Sequence, residues 1–359
     1  MSNYEMSPFH VLLNKLELHE NYKCPENMTD IITPRPIIGT YFLISGIVLM
    51  LIYLPCFIVM IRSKCRAPSY QLMIILGIFD LMSLTVNSII TGIMGIMGVS
   101  YCHYPLFVFF AGGVGMGSWM GACVCCILMA MDRCVEINAS FPLAFIFHKH
   151  VFRLVMASIV AYWTYATFFT KPLLFTAQYM CWFFDPNIGN DAGLYHNIPH
   201  TINNLLVAVI STPLYCYLCY HLIYQYGYST SMWMYKTKHQ IVVQAVILCT
   251  FHAVAAYIYV YMQFSPVPDW VIIIGQLAWQ WSNGCVCLAY WTLNRTIRDS
   301  AIRMMFSKRF RQRFKLHMGI DEQIAAERGE EEVRSATTNI VAIMGNTAKV
   351  APFLCDSKI

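Results

Sequence analysis

Met131-Asp132-Arg133-Cys134 closes a long apolar run, rich in Gly and Met, that begins at Pro105. If the run is a membrane-spanning helix, this acid and base meet where hydrocarbon gives way to water. They can lock to each other or release the guanidinium to a partner arriving from the aqueous side. The plainer reading is that Arg133 only flanks a span, as cations commonly do on the cytoplasmic side. A second carboxylate, Asp80, stands inside another apolar run. A mid-span acid costs about 2.5–3.5 kcal/mol on insertion scales, so it must face other helices and find polar partners there. The last apolar run offers them. Gln276, Gln280, Asn283, Cys287, Tyr290 and Asn294 follow at intervals of four, three, four, three and four residues, which is one face of a helix. Lipid cannot satisfy amide side chains, so this face should point into a bundle, either toward a cavity or as a seam of interhelical hydrogen bonds.

Composition makes the elements that would hold these residues membrane helices. Of 359 residues, 58% are hydrophobic and only 12% charged, about half the charge of a soluble domain. Mean hydropathy is +0.53. A span needs roughly 20 apolar residues, and the runs are long and continuous rather than the short alternating strands of a barrel. The expectation is an all-α bundle of seven spans: 37–61, 69 to about 95, 105–132, 154 to about 176, about 201–226 with Pro213 inside, 240–263 and 270–293. A polar N-terminal tail, residues 1–36, has no run fit for a signal peptide; it carries Cys24 and the glycosylation acceptor Asn27-Met28-Thr29. Beyond the spans, 295–317 interleaves Arg298, Arg303, Arg309 and Arg313 with Ile297, Phe306, Phe310 and Phe314. That pattern predicts a basic amphipathic helix on anionic inner-leaflet lipids. Residues 318–359 turn polar and are expected to be disordered.

Charge sets the orientation. Alternate loops hold three, three and two Lys or Arg and the C-terminal tail twelve, while the loops between them hold none. The N-terminus is therefore expected outside and the C-terminus inside, with the Asn27 sequon on the side where it can be used. Cys102 and Cys181 then lie in two outer loops, in the oxidising compartment, so a disulfide can join them, with Cys24 as competitor or free thiol. The other cysteines read as span packing. No Cys/His set has zinc spacing, so neither a metal nor any other cofactor is expected.

Several stretches together resemble one family. Gly77-Ile78-Phe79-Asp80-Leu81, Asp132-Arg133-Cys134, Pro213 in the fifth span and Tyr290-Trp291-Thr292-Leu293-Asn294-Arg295 look like a G-protein-coupled receptor over residues 37–316. Asp-Arg-Cys in place of Asp-Arg-Tyr, and Ala67-Pro68-Ser69-Tyr70-Gln71-Leu72-Met73, resemble the nematode serpentine chemoreceptors, most closely class T. The resemblance implies a rhodopsin-like bundle in which Asp132, Arg133 and Tyr290 form the G-protein switch. It implies that Asp80 is the polar core residue, with Asn283 as its partner because the Asn-Pro half of the seventh-span motif is missing. It also strengthens the Cys102–Cys181 pairing. The sixth span lacks the Trp-x-Pro bend and reads Phe251-His252-Ala253, so a tryptophan toggle does not transfer.

An outward-facing cavity would be lined by Met116, Trp119, Trp182, Gln276, Trp279 and Gln280. Such a surface suits a small, largely apolar odorant or metabolite. With no acid in the outer half of the third span, an amine is disfavoured. The expected function is chemosensory: ligand outside, heterotrimeric G protein inside, in a multi-pass plasma membrane protein of sensory cilia. Pairing with a second receptor chain is compatible with this, and nucleic acid is not a partner. A ligand-gated channel or transporter is the alternative, but there is no internal repeat and only one mid-span acid. An enzyme is not expected, because His252 has no evident companion for catalysis.

Overall fold

The computed structural model describes residues 4–25, 32–65, 67–138, 140–224, 250–262, 267–314 and a few isolated positions between them. Proline opens each of the first three spans, Pro36–Arg62, Pro68–Met97 and Pro105–Ile137. Its missing N–H is no loss there, since a first-turn donor has no intrahelical acceptor. The fourth span is Lys149–Phe169, the fifth Ile198–Tyr224 and the seventh Asp269–Leu293. These six, among the described residues, are long and apolar enough to cross a membrane. The expected sixth span is seen as a helix over residues 250–262; most of its first half lies outside the described residues. The third helix is the hub, with 78% of its most apolar stretch buried against 22% for the fourth.

Three expectations about the elements need correcting. The third helix passes Asp132 and ends at Ile137, so the acid–base pair sits more than a turn inside it. The fourth stops at Phe169, because Pro172 follows and the residues before a proline avoid helical backbone. Its expected last residues, Leu174–Thr176, instead form a strand antiparallel to Cys181–Phe183, with Thr176 opposite Cys181. The tail is two helices, Arg295–Met305 and Lys308–Arg313, separated where Phe306 turns extended. The N-terminal tail is folded: Ser7 caps a helix Pro8–Leu13, a turn follows at Glu20–Tyr22, and Met6, Val11 and Tyr22 are buried.

The hairpin lies over one end of the bundle. A Cβ on Gly112 of the third span would sit 1.6 Å from the Leu173 carbonyl oxygen, so only glycine lets the chain lie that close. The N-terminal segment lies beside the hairpin. The Tyr22 ring packs on Phe109 and Tyr195 at 4.9 and 5.4 Å, and its carbonyl accepts from the Tyr101 hydroxyl at 2.9 Å. This bond brings Cys24 beside Cys102, and the disulfide is Cys24–Cys102, not Cys102–Cys181. Cys181 is held in the hairpin with its sulfur 3.8 Å from the Tyr259 hydroxyl, facing the bundle interior, which leaves Cys102 to the N-terminal partner. The outward-facing mouth expected from sequence is thus roofed by the hairpin and the N-terminal segment.

Within the second span, Thr85–Ile90 forms a π-helical turn. Such a turn breaks the regular ladder and frees carbonyls for other donors. Here Val86 O accepts from the Thr91 hydroxyl at 3.0 Å and Asn87 O from Gln276 Nε2 at 2.9 Å.

Candidate functional site

At the end of the bundle away from the hairpin, Arg133 is clamped from two sides. Its guanidinium pairs with Asp132 at 3.2 Å and with Glu136, one turn along the same helix. Ser69, at the start of the second span, faces the Asp132 carboxylate. Two acids on one Arg make a stronger closed state than the pair read from sequence. Glu136 was missed, although its position three residues on is where a helix places a neighbour.

Asp80 sits between this level and the hairpin end, fully buried. Its Oδ2 accepts a 2.7 Å hydrogen bond from Tyr53 of the first span. The expected partner, Asn283, turns its amide onto its own helix and donates to the Trp279 carbonyl at 2.8 Å. Tyr53 also meets Tyr290 edge-on, with centroids 6.1 Å apart. Asp80 Oδ1, Ser83 Oγ, Asn283 Oδ1 and the Tyr290 hydroxyl are buried without a hydrogen-bond partner among the described residues. A buried polar atom left so costs roughly 1–3 kcal/mol.

Toward the hairpin, all six expected ligand residues are buried, and they divide between two surroundings. Gln276 and Gln280 form a seam with the first two spans. Gln280 Nε2 donates to Ser45 Oγ at 2.8 Å and Ser88 Oγ at 3.0 Å, while Gln276 binds the π turn. Met116, Trp119 and Trp279 face the middle of the bundle. Asn197 Nδ2 lies 3.2 Å from Met116 Sδ, and Trp119 Nε1 donates to Asn204 Oδ1 at 2.9 Å. Trp279 meets Tyr259 edge-on at 6.1 Å. Trp182 is drawn to the second span, its Nε1 donating to Thr91 Oγ1 at 2.7 Å. Trp279 Nε1 and Gln280 Oε1 remain buried without a partner among the described residues, one donor and one acceptor.

Sequence reading singled out His252 but missed His200, Asn204 and Tyr259, which share with it the space between the third, fifth and sixth spans. The signal existed for Asn204 and His200, an i, i+4 polar pair in a membrane-spanning helix, joined through Asn204 Nδ2 and His200 Nε2 at 3.4 Å. Just outside the spans, Lys171 points its ammonium at the Leu194 and His196 carbonyls, at 2.6 and 3.2 Å. Burial lowers its pKa. Asn27, Lys236 and Lys238 lie outside the described residues.

Residues 6–314 match the model of a family described as serpentine type 7TM GPCR chemoreceptor Srt. The chain is 23% identical over 280 residues to serpentine receptor class T-55 of Caenorhabditis elegans, an alignment covering 74% of each chain. Its fold is similar to the crystal structure of squid rhodopsin, with a TM-score of 0.51 and 12% identity over 85% of this chain and 97% of that one. At that identity the likeness concerns the fold, a seven-transmembrane bundle.

Proposed function

Because the chain belongs to the Srt family of seven-transmembrane chemoreceptors, we propose that it detects a small, mostly apolar odorant or metabolite and activates a heterotrimeric G protein. The hairpin end faces outside, with Asn27 glycosylated, and the Arg133 end faces the cytoplasm of a sensory cilium. The loop charges support this orientation, as does a disulfide at the hairpin end, since disulfides persist in oxidising compartments.

The observation that carries the reading is the double clamp on Arg133. A guanidinium held by Asp132 and Glu136 is a group kept from a partner. In the active arrangement the fifth and sixth spans part at that end, and Arg133 turns to the G protein. Arg298, Arg303 and Arg309 of the tail helices, with Lys236 and Lys238, supply the basic surround; the same helices rest on anionic lipid. A ligand shifts this equilibrium only by its difference in affinity for the two arrangements. The ligand site lies among Met116, Trp119 and Trp279, where the unpaired Trp279 N–H favours a molecule with one acceptor, such as a ketone, ester or alcohol.

The test is nucleotide exchange on co-expressed G proteins under a panel of volatile and small-metabolite compounds, with surface expression measured in parallel. A compound should drive exchange in the native chain and none in Arg133→Ala at equal surface level. A ligand-evoked current that needs no G protein and ignores Arg133 would overturn the reading.

A further inference from the structure

Between the second and third spans at the hairpin end, a groove of about 610 Å³ opens on the flank of the bundle. It is lined by Val86 and Ile90 of the second span, Phe107, Phe110 and Val114 of the third, and Leu16 of the N-terminal segment. Its lining is nearly pure hydrocarbon. The only polar side chain in it is Thr85, whose hydroxyl already donates to the Leu81 carbonyl at 2.8 Å.

Three features distinguish the groove from an ordinary gap between helices. Its volume is that of a small-molecule site. One end of its wall is Leu16, which with Lys15 adopts left-handed backbone, φ 67° and 53°. Side chains other than glycine rarely enter that region, so two in succession must be held there. The Leu16 N–H bonds the Val11 carbonyl at 2.9 Å, and the segment is fixed to the turn before the third span through Cys24–Cys102. The floor, Val86, is also the wall of the interior site. The point where Gly115 would carry a Cβ is 2.8 Å from Val86 Cγ1 and 3.4 Å from the Trp279 ring. One side chain therefore separates the groove from Trp279.

Leu106 and Phe107 on its rim are exposed on the flank of the bundle, so an occupant reaches the groove from the acyl-chain region. We propose that the groove is a membrane-facing binding site for an uncharged, hydrocarbon-rich small molecule dissolved in the leaflet at the hairpin end. The absence of a free donor on its walls selects against charged and strongly polar molecules. Apolar fit alone sets the affinity.

The full chain in phosphatidylcholine nanodiscs can be photolabelled with a medium-chain alkyl diazirine and the labelled residues mapped. Labelling of residues 85–90 and 106–114 should saturate with probe, fall when a medium-chain alkanone is added, and lose its saturable part in Ala111→Trp, which fills the groove. Leu16→Asp, on an exposed turn, puts a carboxylate on the apolar wall and should cut the saturable labelling several-fold even if Ala111→Trp fails to fold. Labelling that rises in proportion to probe, equals that of lipid-exposed Leu51 and is the same in both variants means ordinary acyl-chain solvation, and overturns the proposal. Because the readout is binding, a failure of G-protein coupling leaves this result standing, and the reverse.

Discussion

Trp119 of the third span lies face to face with His252 of the sixth, the ring planes 10° apart and the centroids 5.5 Å apart. The same indole donates to Asn204 of the fifth span, so three helices that must rearrange meet on one side chain. His252 thus occupies the middle of a helix that lacks the tryptophan of other rhodopsin-like bundles. A stacked ring pair is worth about 0.5–1.5 kcal/mol beyond its burial. His252→Ala should raise ligand-free nucleotide exchange by about two- to tenfold, whereas His252→Phe, which keeps a ring to stack, should stay near the native level. Equal rises in both variants would remove the stack from the switch.

Glu136 is half-exposed, and an ion pair in such a place is worth at most about 1 kcal/mol. Glu136→Gln should therefore raise ligand-free exchange by no more than about fivefold. Combined with Arg133→Ala it should have no effect, since there is then no guanidinium to hold. The double variant read against the two singles isolates the pair.

Peptide mapping under non-reducing conditions should recover Cys24 joined to Cys102. Cys24→Ser and Cys102→Ser should each lose about 2–4 kcal/mol of stability, with matching falls in thermal midpoint, and Cys181→Ser should lose much less. Burial pushes the Cys181 thiol up to about 12. Alkylation needs the thiolate, so in the folded protein Cys181 should resist iodoacetamide at neutral pH and react faster as pH climbs toward that value.

Lys171 gives a dependence of stability on alkaline pH. Burial holds its folded pKa below the ordinary 10.5. Between the lowered value and 10.5 the unfolded chain binds more protons than the folded one, so stability rises as pH climbs through that window. Lys171→Gln keeps donors for the Leu194 and His196 carbonyls but cannot titrate. Thermal unfolding followed across the alkaline range should show the rise in the native chain and a flatter profile in the variant.

The spans were legible because hydrocarbon demands long apolar runs, and the Pro36, Pro68 and Pro105 starts sharpen three of them. The hairpin was not: Leu174–Thr176 and Cys181–Phe183 are three residues each, too short for alternation to show, and their apolar side chains read as more helix. Burial of Gln276, Gln280 and Asp80 followed from their polarity in lipid. Their partners did not follow, because Tyr53 and Ser45 lie on a helix that looks uniformly apolar, and because Asn283 could satisfy itself locally. The choice of Cys24 over Cys181 rests on the Tyr22–Tyr101 contact between segments far apart in the chain. Glu136 needed only attention to the spacing of charges along one helix.

The π turn at Thr85–Ile90 resets the register of the second span. It winds one extra residue into the second span, and each added residue rotates the remainder of the helix by about 100° about its axis. A regular α-helix anchored at Asp80 would therefore stay in phase with this span only up to Leu84. Past Ile90 it would carry Thr91, Met94 and Gly95 to a side of the helix about 100° from the one they occupy. The turn thus decides which face of the second span's outer part meets the seventh.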